Sequence, residues 1–181
     1  CEEDAESNAA IKFVPMNGKD YKLLLTGNSF SAVGEFDLTF VQNEPPENDS
    51  CDEAIMMTTF PFTYNGDLKG ATPDFDADNV QCGDSALGGA WFSFLGTGKG
   101  YSFELKTVNT NRYFRSEISL FQGSCSGFEC TKNEGGSGAN AVVNVEYNAA
   151  TMAGVQYLVL VSSSQVDEEE IPYQLTVTEI A

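Results

Sequence analysis

Apolar and polar residues alternate with a period of two along Tyr101 to Val108, "YSFELKTV": Tyr101, Phe103 and Leu105 on one side, Ser102, Glu104 and Lys106 on the other. That is the pattern of a β-strand with one buried face. "EISLFQG" (Glu117 to Gly123) repeats it, with Ile118 and Leu120 pointing inward. "QYLVLVS" from Gln156 and "YQLTVTE" from Tyr173 are β-branched and aromatic runs of strand length, "AWFSFLG" (Ala90 to Gly96) is a strand ended by glycine, and "FPFTYNGDL" (Phe60 to Leu68) predicts another. Turn clusters separate them: "GTGKG" at 96–100, "NEGGSG" at 133–138 and "SSSQ" at 162–165. No window carries an apolar stripe at helical spacing over a useful length. The expected fold is all-β, an antiparallel β-sandwich with a jelly-roll-like topology.

The pattern also repeats. "DYKLLLTGNS" from Asp20 matches "QYLVLVSSSQ" from Gln156; "AIKFV" (Ala10 to Val14) and "AVVNV" (Ala141 to Val145) precede the two copies, and "FDLTF" (Phe36 to Phe40) and "YQLTV" (Tyr173 to Val177) follow them. The offset from Tyr21 to Tyr157 sets a repeat length of about 136 positions. Between the copies, "QNEPPENDS" (Gln42 to Ser50) has two prolines and no bulky apolar residue, and reads as a linker. Residues 1–44 predict only about three strands, too few for two packed sheets. The expected organisation is therefore the C-terminal portion of a preceding repeat at 1–44, a linker at 45–48, and one complete repeat at 49–181.

Composition narrows the partners. The chain of 181 residues is 41% hydrophobic and 12% aromatic, ordinary for a folded protein, but carries a net charge of -18. That charge disfavours nucleic acid and anionic membrane surfaces, and favours cations, above all Ca²⁺. No stretch reaches the ~20 apolar residues of a membrane span. The chain has no histidine, which removes Ser-His-Asp and Cys-His catalysis and the commonest zinc ligand. It opens on Cys1 rather than Met, as a mature product or an excerpt from a longer protein does. Five cysteines without paired CxxC motifs indicate disulfides and an extracellular compartment. By spacing, Cys125 and Cys130 bracket a small loop, "SGFE", such as a local bridge closes, and Cys51 and Cys82 flank the first acidic part of the chain; Cys1 is left for a partner upstream of the sequence.

The order "NDSCDEA" (Asn48 to Ala54), "GATPDFDADNVQCG" (Gly70 to Gly83), "AWFSFLGTG" (Ala90 to Gly98), "EISLFQGSCSGFEC" (Glu117 to Cys130), "YLVLVSSS" and "YQLTVT" resembles the bacterial pre-peptidase C-terminal (PPC) domain family, especially its tandem, cysteine-containing extracellular members. The resemblance covers nearly all of 48–179 and, in part, 1–42. It implies a β-sandwich, the pairing Cys51–Cys82 and Cys125–Cys130, and a role as an accessory module of secreted hydrolases or as a repeat in large surface proteins. The chain departs from the family after Cys130, where an Asn-Asp-Asp-like run gives way to "TKNEGG".

Four groups of residues are candidate sites. Asp74, Asp76 and Asp78 in "DFDAD" place three carboxylates at alternate positions, as a Ca²⁺ loop does, without the glycine and distal glutamate of an EF-hand; the alternative is a solvated acidic loop. "ENDSCDE" (Glu47 to Glu53) supplies further oxygens if a bridge from Cys51 to Cys82 brings it alongside. Asn48-Asp49-Ser50 is an N-glycosylation sequon. Trp91, the one tryptophan, is either a core aromatic or a platform for a sugar ring. The acids of "VDEEEIP" (Val166 to Pro172) read as a solvated hairpin loop, and no spacing marks a catalytic pair. The functional expectation is a non-catalytic structural or adhesive repeat of a large secreted or cell-surface protein, in contact with neighbouring repeats or other protomers, of a kind that builds a rod or filament. The alternatives are a glycan-binding module and an accessory domain of a secreted hydrolase.

Overall fold

The computed structural model describes residues 20–25, 37–40, 44–72, 82, 88–108, 114–138, 140–163 and 171–180. The chain divides into two units, Cys1–Gln42 and Asn43–Ala181. In the first, residues 20–25 and 37–40 lie outside any helix or strand and carry exposed leucines and a phenylalanine.

The second unit is an all-β sandwich. Among the described residues, a short 3-10 turn at Cys51–Glu53 leads into nine strands: β1 (Ile55–Met56), β2 (Phe62–Asp67), β3 (Gly89–Leu95), β4 (Gly100–Thr107), β5 (Phe114–Ser124), β6 (Gly127–Gly138), β7 (Val142–Tyr147), β8 (Gln156–Ser163) and β9 (Pro172–Ile180). Five of them form one sheet in the order β1-β3-β8-β5-β6, and four form the other in the order β2-β9-β4-β7. Among the described strands, only the pairing of β1 with β3 is parallel. Apart from the β5–β6 hairpin, the chain from β3 onward crosses to the other sheet at each step, as in a jelly roll.

The alternation read from β4 is realised residue by residue. Tyr101, Phe103 and Leu105 are fully buried, while the residues between them are half-buried. They meet Tyr173, Leu175 and Val177 of β9 and Val143 and Val145 of β7. From the facing sheet come Phe92 and Phe94 of β3, Ile118 and Leu120 of β5, and Tyr157, Val159 and Val161 of β8. Within the five-stranded sheet Phe94 stacks on Tyr157 at 5.3 Å between centroids, and Tyr101 of the facing sheet approaches Phe94 to 4.6 Å, linking the two layers.

Three local expectations are corrected. "NEGGSG" is not a turn but the second half of β6, paired with β5 from Phe114↔Gly138 to Ile118↔Glu134. Its glycines suit close packing: a Cβ on Gly136 would stand 2.9 Å from Cγ2 of Val143, so β6 passes β7 where a side chain has no room. "SSSQ" begins inside β8, with Ser162 and Ser163 buried. The third concerns 45–48, since the linker does not extend to residue 48. Asn48 and Asp49 are buried parts of the sandwich.

Truncation of Leu120 to alanine, at the centre of the packed layer, is expected to cost about 2–5 kcal/mol in urea unfolding, against less than about 0.5 kcal/mol for the half-exposed Lys106→Ala.

Candidate functional site

The outer face of the five-stranded sheet holds a second, smaller core. Odd-numbered β3 and β5 residues and even-numbered β8 residues point away from the main core, so Trp91, Phe121, Leu158 and Leu160 share this face and are all buried. Trp91 lies 5.6 Å from Phe121 and 5.8 Å from Phe128, and those two phenylalanines meet edge-on at 4.9 Å. Cys51, Ala54, Cys82 and Cys125 pack over them. With Trp91 only 1% exposed, no ring face is open to a sugar. The platform expectation is corrected, and Trp91 is a core residue.

The covalent layer over this core is paired differently from the expectation. Cys51 bonds to Cys125 and Cys82 bonds to Cys130, with Cα–Cα distances of 5.6 and 5.4 Å. A Cys125–Cys130 bridge is excluded by the hairpin. Cys125 occupies the two-residue turn between Ser124 and Gly127, while Cys130 stands three residues along β6, about 10 Å away at the rise of an extended strand. That exceeds the ~7 Å over which two Cα atoms can be bridged. A β-bulge between Leu120 and Phe121 leaves Thr131 without an opposite number and sets Cys130 opposite Phe121, on the outer face beside Cys82. The loops closed, with separations of 74 and 48 residues, are longer than either expected loop; chain entropy makes each worth about 4 kcal/mol. Cys1 lies outside the described residues.

Asn48 is held by strand β3. The Trp91 backbone N–H donates to the Asn48 carbonyl at 2.8 Å, and Asn48 Nδ2 donates to the Trp91 carbonyl at 2.7 Å. The nitrogen that a glycan would occupy is thus committed inside a residue only 1% exposed, which corrects the reading of an exposed sequon. The neighbouring acids are also spent on protein donors. Asp49 accepts from the backbone N–H and the hydroxyl of Thr72, at 2.7 and 2.5 Å. Glu47 accepts from the Tyr64 hydroxyl at 3.1 Å, and Glu53 from Ser50 at 3.0 Å.

Asp74, Asp76 and Asp78 lie outside the described residues, as do the acids at 167–170. Among the described residues, no group of three or more acidic, cysteine or histidine side chains converges as metal ligands. In the run after Cys130, Lys132 Nζ donates to the Glu146 carbonyl at 3.3 Å, and Asn133 Nδ2 donates to Ser119 Oγ at 2.8 Å.

Two polar clusters escaped the sequence reading. Asp67 Oδ1 accepts from the backbone N–H groups of Lys69 and Ile171, both at 2.8 Å, bracing the end of β2 against the start of β9. Glu179 gathers Lys99 Nζ at 2.9 Å, Thr97 Oγ1 at 2.8 Å and the Tyr101 hydroxyl at 3.1 Å, fastening the "GTGKG" loop to β9. The hydrogen bond from Lys99 holds the Glu179 carboxyl below the usual carboxylate range. Burial pushes the Tyr173 phenol far up, and the neighbouring Tyr64 adds to it; burial also raises Tyr64, Tyr101 and Tyr147.

No family model matches the chain, and no curated protein does. Among solved structures, it is similar to that reported as "CorA is a surface-associated copper-binding protein important in Methylomicrobium album BG8 copper acquisition", at 8% identity and a TM-score of 0.47, over 70% of this chain and 98% of that one.

Peptide mapping without reduction is expected to recover 51–125 and 82–130 cross-links; finding 51–82 and 125–130 would reject the observed pairing. The raised phenols bind their protons more tightly folded than unfolded. Their stabilisation is complete below pH about 10 and lost as the pH rises beyond it, so the urea midpoint should fall there, and less steeply in Tyr173→Phe.

Proposed function

We propose that the chain is a non-catalytic structural repeat of a large extracellular protein, built on the PPC-like pattern, with residues 1–44 belonging to one repeat and 49–181 forming the next. The observation that carries this reading is the second unit's construction. Its sandwich has one sheet covered on both faces, and the outer cover is tied down by two disulfides that close long loops. Disulfides of this kind persist in oxidising compartments and suit a module that holds its shape outside the cell. The internal repeat supplies the partner: another unit of the same kind along the chain. The acidic surface keeps such units soluble and apart while the Pro-Pro segment limits their relative orientation. The burial of Trp91 leaves the glycan-binding alternative to a loop tyrosine as its platform.

The test is a tandem series. One, two and four copies of residues 43–181, each joined through its own 43–48 segment, are expected to show a maximum dimension in small-angle X-ray scattering that grows by a constant increment per copy. Collapse into a compact particle of fixed dimension would overturn the reading.

A further inference from the structure

The second unit shows where the exposed apolar residues of the first belong. By the internal repeat, Leu23, Leu24 and Leu25 stand where β8 has Val159, Leu160 and Val161, and Leu38 and Phe40 stand where β9 has Leu175 and Val177. The five β8 and β9 residues are at most 3% exposed; their counterparts are 47, 83, 50, 47 and 78% exposed. Thr39 corresponds to Thr176, which faces out of its sheet, so the match preserves the side-chain alternation as well as the apolar content.

The places concerned are interior ones. β8 lies between β3 and β5, and β9 between β2 and β4. The unbroken run Leu23-Leu24-Leu25 is the composition of a strand buried on both faces, not that of an edge strand with a wet side. We propose that Asp20–Leu25 and Asp37–Phe40 are the β8 and β9 strands of a sandwich whose β1–β5 portion, with the first residues of β6, is supplied by a preceding repeat in the same polypeptide, with Asp20–Leu25 inserted between that repeat's counterparts of β3 and β5. The proposal rests on the tandem-repeat reading. A second copy of the 43–181 unit is the wrong occupant, because its own β8 and β9 already fill both places. Lys22 stands where Leu158 lies under the disulfide layer, so the completed sandwich must leave that point of its outer face open to water for the ammonium.

Hydrogen exchange on two proteins tests this: the 181-residue chain, and the same chain with a further copy of residues 43–129 joined ahead of Cys1. In the first, amides of 22–25 and 37–40 exchange at the rates of unstructured peptide. In the second, they slow by about 100-fold or more, with exchange in 43–181 unchanged. Leu24→Asp abolishes the new protection and Leu24→Val retains it. Protection in the 181-residue monomer, protection that appears only as that chain dimerises, or no gain on extension would each overturn the proposal. The scattering series omits residues 1–42, so the repeat reading and this docking fail independently.

Discussion

Burial of Leu158 and Leu160 on the outer face of the five-stranded sheet is the constraint that the rest of the second unit obeys. An antiparallel sandwich normally leaves the outer face of each sheet to water, and its strands alternate accordingly. Here β8 is apolar at every position from Tyr157 to Val161, so the sheet needs a cover on both sides. The facing sheet provides one. The other is made from small pieces: the 3-10 turn at Cys51, the tip of the β5–β6 hairpin and Cys82. Pieces so short bury too little surface to remain in place by contact alone, and the two disulfides supply the missing constraint.

The sandwich was legible in the sequence because most strands obey a simple period. β4 alternates cleanly, β9 nearly so, and β8 betrays its central position by failing to alternate. β6 was hidden because glycine and polar residues at a sheet edge resemble a turn; nothing local shows that Val143 of another strand excludes a side chain there. The cysteine pairing was hidden for a related reason. Closeness along the chain favoured Cys125–Cys130, but an extended strand and a one-residue bulge separate those two and face Cys130 toward Cys82. Asn48 looked like an exposed sequon because its burial depends on Trp91, 43 residues away.

The acidic character divides into two populations. Asp49 and Asp67 accept backbone N–H groups and act as internal braces, while Glu179 collects a lysine and two hydroxyls at a loop. These carboxylates carry architecture, and a sequence shows them only as further members of an acidic composition. With nine lysines and arginines against 27 acids, negative charge is in excess, and salt screens its mutual repulsion at distances beyond about 10 Å.

The Cys51–Cys125 bond also sets how far this module can stretch. Tension entering near Asn43 and leaving near Ile180 passes through the sulfurs and bypasses the 74-residue span between them. At ~3.4 Å per extended residue, that removes roughly 250 Å of slack from each unit. Even if its hydrogen bonds rupture, this unit releases only the residues outside the Cys51–Cys125 loop, so its reach under load stays limited.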